Sequence, residues 1–278
     1  MPDKYKLTIA HSPDSDDAFM FYGLATGKIE SDLLEFEHIL KDIQSLNVDA
    51  HEGRYDMTAI SYHAYPYVAD KYVLTAAGSS VGDGYGPILV ATSELDPTDL
   101  KGKRIAVPGK LTTAYLAMTL YEPDIVPVMI EFNKIIDAVE SGEVDAGVII
   151  HEGQLSYQDS GLKNIVDLGV WWKEKYNLPL PLGCNCILRS LPDNIKTEAR
   201  KKLAESIQYS LDNRAAALEY ALQFARGLDP DLADRFVGMY VNHHTTAMAD
   251  EVIEAGQKLL DLGFETGLIP KHVKLEYV

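Results

Sequence analysis

Ala146-Gly147-Val148-Ile149-Ile150 is an apolar run with no polar alternation. A strand with one wet face alternates, so an unbroken run marks a strand covered on both faces. Gly142-Glu143 reads as the turn before it, and His151-Glu152 sits at its carboxyl end. In open α/β sheets, ligands bind just outside the carboxyl ends of strands. His151 is therefore placed to do chemistry or to hold a ligand. The other reading is a histidine that caps the sheet through a backbone hydrogen bond.

The same alternation runs through most of the chain. Lys4 to Ala10, Glu35 to Leu40, Met57 to Ile60 and Tyr72 to Ala77 read as strands. Between them lie helical segments: Ala18 to Leu24, with Ser15 or Asp16 as N-cap; Ile43 to His51, closed by Gly53; and Tyr62 to Val68. Gly78 to Pro87 reads as a flexible glycine-rich loop. It has neither the strand–GxGxxG–helix context of a dinucleotide site nor the Gly-Lys-Ser/Thr of a P-loop. Ile88 to Ala91 closes this first unit.

A second unit starts near Ser93. Its strands are Ile105 to Val107, Val126 to Glu131, Ala146 to Ile150 and Ile165 to Asp167, and its helices are Thr112 to Leu120 and Ile135 to Val139. Leu178 to Leu182, with Pro179 and Pro181, reads as the chain crossing back into the strand Cys184 to Leu188. From Asn194 the pattern is helical, a tail expected to pack on the first unit. Strands alternating with helices argue for a parallel, doubly wound sheet. An α/β insert entered and left by two crossings argues further. The expected fold is α/β, a two-domain periplasmic-binding-protein-like (type 2) clamshell with two hinge crossings. Residues 1–91 and 184–278 would form the larger domain, and 92–183 the smaller inserted one.

The net charge is −17 over 278 residues, which argues against nucleic acid and anionic membrane surfaces as partners. No segment approaches the ~20 apolar residues of a membrane span. No secretory h-region or cleavage site follows the first residues, so the chain reads as cytoplasmic. Cys184 and Cys186 fit neither a redox pair nor half a zinc site, and read as packing residues.

Thr112 and Thr113 stand where a loop becomes a helix, a place suited to a carboxylate or phosphate. Ser61 and Ser12 occupy similar positions at strand ends. Each alone reads more readily as a helix cap. Facing one cleft with His151, they would hold a small anionic molecule. Asp14, Asp16 and Asp17 lack cation-loop spacing, so one reads as a helix cap and the others as solvated. His243-His244 cannot share a helix face, and no metal site is expected. No Ser–His–Asp order and no cofactor fingerprint is present, so chemistry here would be acid–base and free of cofactors.

Lys103 to Tyr115, Gly142 to Glu152, Leu168 to Trp172, Leu178 to Gly183, Leu46-Asn47 and Glu52-Gly53-Arg54 together resemble the 1,4-dihydroxy-6-naphthoate synthases of the futalosine route to menaquinone. The resemblance covers nearly the whole chain. It implies the clamshell fold and a carbon–carbon lyase that converts cyclic de-hypoxanthine futalosine to 1,4-dihydroxy-6-naphthoate, releasing a small sugar-derived fragment. It implies His151 as catalytic base. It also implies substrate binding by Thr112, Thr113 and Ser61, with the backbone at Ala59 and Ile60, and Asn47 as a further contact. The first loop departs from the family. Where Ser-Pro-Cys-Pro-Asn-Asp-Thr-Phe is common, this chain has Ser12-Pro13-Asp14-Ser15-Asp16-Asp17-Ala18-Phe19. Two other readings stand beside the lyase: a non-catalytic solute-binding protein of the same fold, and the sister chorismate dehydratase of the pathway. A monomer is expected, with a dimer as the other state.

Overall fold

The computed structural model describes residues 4–225 and 229–278. Met1 to Asp3, the start of the expected 1–91 segment, lie outside that set. Eleven strands form two sheets among the described residues: β1 (Tyr5–His11), β2 (Leu34–Leu40), β3 (Met57–Ser61), β4 (Tyr72–Leu74), β5 (Ser80–Gly82), β6 (Ile88–Ala91), β7 (Arg104–Val107), β8 (Val126–Met129), β9 (Ala146–Ile149), β10 (Lys163–Asp167) and β11 (Leu180–Leu188). The first sheet runs β2-β1-β3-β11-β4, with β5 also paired to β11, and the second runs β10-β6-β9-β7-β8.

β9 bears out the reading of its apolar run. All four of its residues are buried, and it lies between β6 and β7. Val148 faces one core with Leu89 and Ile105, while Ile149 faces the opposite core with Ile135 and Val139. Successive side chains point to opposite faces, so both faces being covered requires every position to be apolar.

Both sheets are mixed rather than parallel. β1 pairs with β2 and β3 in parallel, and β7 pairs with β8 and β9 in parallel. β11, however, runs antiparallel to β3, β4 and β5, and β6 runs antiparallel to β9 and β10. The antiparallel strands are those that join the two sheets, and alternation of element types carries no information about their direction.

The crossings also fall earlier than expected. Ile88–Ala91 belongs to the second sheet, and Gly78 to Pro87 contains β5 instead of being wholly loop. β11 starts at Leu180, taking in Pro181, where a register shift against β5 accommodates the missing N–H. The helix Leu168–Tyr176 was not expected; Asp167 caps it by accepting from the N–H groups of Gly169 and Val170.

The helical tail packs where it was expected. Leu7, Ile9 and Phe19 share a core with Leu203 and Ile207 of the helix Asp193–Asp212. A separate core joins the lobes: Ile60, Tyr72 and Leu74 are contiguous with Leu89, Ile105 and Val148 through Leu116 and Trp172. Cys184 and Cys186 are buried free thiols in this core. Among the described residues, no helix is long and apolar enough to cross a membrane.

Candidate functional site

A cavity opens between the two sheets. Its lining comes from both lobes and from the carboxyl ends of several strands. Ser12, Ala59, Ile60, Ser61, Thr112 and Thr113 all face it, as the residue pattern and the family resemblance led one to expect. Asn47 and His151 do not.

The neutral side of the cavity is built from hydroxyls and amides that hold one another. Thr112 donates to Gly109 O at 2.8 Å and accepts from Tyr115 N at 3.2 Å, an N-cap in the ordinary sense. Thr113 donates to Leu182 O at 2.7 Å and accepts from His63 N at 3.3 Å. Both hydroxyls are thus occupied in positioning the turn. The N–H groups of Thr113 and Ala114, in the first turn of the helix Thr113–Tyr121, find no protein acceptor among the described residues. Such first-turn donors are what a carboxylate can use. Asn47 lies fully buried behind Ser61. It donates to Ser61 Oγ at 3.0 Å and accepts from Ser61 N at 2.8 Å. Asn47 is therefore a positioning residue rather than a contact, and the Ser61 hydroxyl keeps its own proton to give.

His63, fully packed between the lobes, adds a further tie through Thr112 O at 3.2 Å. Burial lowers its pKa to about 4, so the ring is neutral near pH 7.

The opposite side is acidic. Asp14, Asp16 and Asp17 line the cavity, and Glu152 is buried behind them. They neither cap the helix nor stand in bulk solvent. The N-cap of the helix Ser15–Ala25 is Asp14, and its side chain makes no capping bond. Asp14 instead accepts from Ser12 Oγ, Asp17 accepts from Ser12 N at 2.6 Å, and Glu152 accepts from Ser15 Oγ at 2.9 Å. Burial pushes the Asp17 carboxyl up to about 7, against the pull of the Ser12 N–H. Burial, then the charges of Asp17, Asp14 and Glu152, hold Asp16 well above the usual carboxylate range.

His151 is held at both nitrogens by backbone. Nε2 lies 3.2 Å from Phe132 O, and Nδ1 accepts from Gly153 N at 3.0 Å. These partners assign the proton to Nε2 and the lone pair to Nδ1. Glu152 stands 3.9 Å from Nδ1. A Cβ on Gly153 would lie 2.7 Å from Cε1 of this ring, so the tight turn under His151 needs glycine. This is the backbone-capping geometry set against the chemical reading from the outset.

Several lining residues went unnoticed in the sequence. Asn185 interrupts the apolar run of β11, and a polar residue there was the available signal. Gln154 follows His151 by one helical step, and its Oε1 accepts from Tyr240 at 2.7 Å. Tyr240 sits in an apolar helix pattern that carries no signal at all. No group of three or more His, Cys, Asp or Glu suited to a metal ion occurs among the described residues.

Two lobes, two crossings and a cavity between the sheets define a periplasmic-binding-protein-like α/β protein. The alkanesulfonate-binding protein of Xanthomonas axonopodis pv. citri superposes with a TM-score of 0.73 at 18% identity, over 99% of this chain and 98% of that one, a likeness of fold alone. A crystal structure of an Archaeoglobus fulgidus protein superposes with a TM-score of 0.92 at 49% identity, over 95% of this chain and 98% of that one. Residues 7–265 match a family model described as menaquinone biosynthesis, and the chain belongs to that family. It is 38% identical to the 1,4-dihydroxy-6-naphthoate synthase of Thermus thermophilus, over 91% of this chain and 90% of that protein. It is 36% identical to the enzyme of the same name from Streptomyces coelicolor, over 95% of each.

Proposed function

We propose that the chain is a 1,4-dihydroxy-6-naphthoate synthase, a carbon–carbon lyase acting on cyclic de-hypoxanthine futalosine. The observation that carries this reading is the shared name of two curated relatives, each matched over nine-tenths of its length. The cavity supports it: free first-turn N–H groups at Thr113 and Ala114, beside the Ser61 hydroxyl, suit the substrate carboxylate. The solute-binding reading rests on a fold shared at 18% identity, and fold does not carry function.

Carbon–carbon cleavage starts with removal of a proton from the substrate, and aromatisation of the product ring drives it. His151 is our proposed base on the family resemblance: its ring stands outside the cavity lining, so in this role it turns toward the ligand and takes the proton on Nδ1, which carries the lone pair. Nδ1 thereby exchanges the Gly153 N–H for a substrate proton. Asp17 is the second candidate, because it lines the cavity with a carboxyl raised to about 7.

Turnover of cyclic de-hypoxanthine futalosine, read by mass spectrometry of the product, tests both points. The wild type forms 1,4-dihydroxy-6-naphthoate, and His151→Asn folds normally but loses activity by at least about 10²-fold. Absence of product from the wild type overturns the activity. Near-normal turnover by His151→Asn, with loss in Asp17→Asn, transfers the base role to Asp17.

A further inference from the structure

The acidic side of the cavity has a property that the mechanism above does not use. Three of its four carboxylates are supplied with donors by the first loop: Asp14 by Ser12 Oγ, Asp17 by Ser12 N, and, from the other lobe, Glu152 by Ser15 N and Oγ. Asp16 is the exception. Among the described residues its carboxylate draws only on its own backbone amide, and the charged groups acting on it are all carboxylates.

A second, independent acceptor lining the same cavity, Asn185 opposite Ala59 in the first sheet, stands without a donor. Asn185 is 2% exposed and donates through Nδ2 to Gly78 O at 2.9 Å. That bond fixes the orientation of the amide, because a carbonyl oxygen only accepts. Its Oδ1 is buried with no hydrogen-bond partner. The surroundings are built for this approach: Gly78 has φ +78°, and a Cβ there would lie 2.5 Å from Nδ2. Buried polar atoms without partners are rare and costly in folded proteins.

We propose that this side of the cavity is a hydroxyl-binding subsite, in which Asp16 and Asn185 Oδ1 accept hydrogen bonds from the polyol, sugar-derived end of the ligand. On the activity proposed above, it seats the part of the substrate that is cut away. The charge pattern sets the orientation. A ligand carboxylate placed here would face Asp14, Asp16 and Asp17, with no Lys, Arg or His among the described lining residues to offset them. A hydroxyl is a neutral donor and meets no such repulsion. The carboxylate is thereby directed to the Ser61 and Ala114 side, and the hydroxyls to Asp16 and Asn185.

Three probes test the subsite without the natural substrate: D-gluconate, hexanoate and 6-aminohexanoate, titrated by calorimetry into the wild type, Asp16→Ala and Asp16→Asn. Gluconate binds the wild type about tenfold more tightly than hexanoate. Asp16→Ala abolishes that preference and leaves hexanoate unchanged, whereas Asp16→Asn, which keeps a carbonyl acceptor, retains part of it. Circular dichroism of each variant verifies the fold. Equal binding of gluconate and hexanoate by the wild type overturns the subsite. So does a preference that survives Asp16→Ala, or tighter binding of 6-aminohexanoate than of gluconate, which marks a cation site instead. These outcomes are independent of turnover, so a failed activity assay and a failed subsite are told apart.

Discussion

The two walls of the cavity hold their polar groups in opposite ways. On the Ser61–Thr113 wall, the polar side chains are neutral: Asn47 holds Ser61 within one lobe, while across the lobes Gln44 accepts from Leu111 N, His63 bonds Thr112 O and Thr113 donates to Leu182 O. On the Asp14–Asp17 wall, carboxylates crowd together and Asp16 draws only on its own backbone amide. The first wall's hydroxyls and amides form a connected hydrogen-bond network, which rigidifies a site and leaves the first-turn N–H groups of Thr113 and Ala114 for a ligand. The second carries raised carboxyl pKa values, the usual mark of a place where chemistry or ligand exchange occurs. Positioning belongs to the neutral wall, and discrimination to the acidic one.

The largest expected effect of breaking this contrast comes from Asn47→Ala. It removes both bonds that hold Ser61 and strands a buried N–H. We expect a loss of about 2–3 kcal/mol in urea unfolding, and a KM raised about tenfold with kcat less affected. A midpoint unchanged in urea would mean that the neutral wall is not the rigid one.

A smaller effect is expected where the walls are tied across the lobes. Ser15 donates to Glu152 from both its N–H and its hydroxyl. Ser15→Ala should cost about 1–2 kcal/mol. In a double-mutant cycle with Glu152→Gln, a coupling of about 1 kcal/mol is expected. Additive losses would show that this tie contributes nothing to closure.

The smallest effect is a gain. Asp16 and Asp17 have folded-state pKa values raised above the ~3.9 of an unfolded aspartate. The folded protein therefore binds more protons than the unfolded chain between about pH 4 and 7, and stability falls as pH rises through that window. The groups facing Asp16 are Asp14, Asp17, Glu152 and the phenol of Tyr240. Asp16→Asn removes one member of the cluster. Its melting temperature should exceed that of the wild type by ~2 °C at pH 7.5, and the gain should vanish near pH 4. A variant that melts lower than wild type at pH 7.5 would mean that the Asp16 charge is stabilising.

The legible part of the fold was that governed by periodicity. β9 declared itself because a strand covered on both faces must be apolar throughout, and the neutral wall declared itself because Ser61 and Thr112 stand at element boundaries. Strand direction in β6 and β11 did not, since pairing sense is decided by the path between lobes and not by local composition. The acidic wall was read as caps and solvated charge because two of the groups that act on Asp16, Glu152 and the Tyr240 phenol, lie far away in sequence. His151 was singled out by position alone. Its tie to Phe132 O comes from a segment 19 residues away and could not be seen in the pattern around it.

The most direct test of the division between the walls is a crystal structure with 1,4-dihydroxy-6-naphthoate bound. The account predicts the carboxylate against Ser61 Oγ and the N–H groups of Thr113 and Ala114, with the ring hydroxyls directed toward Asp16. A carboxylate seated among Asp14, Asp16 and Asp17 would contradict it.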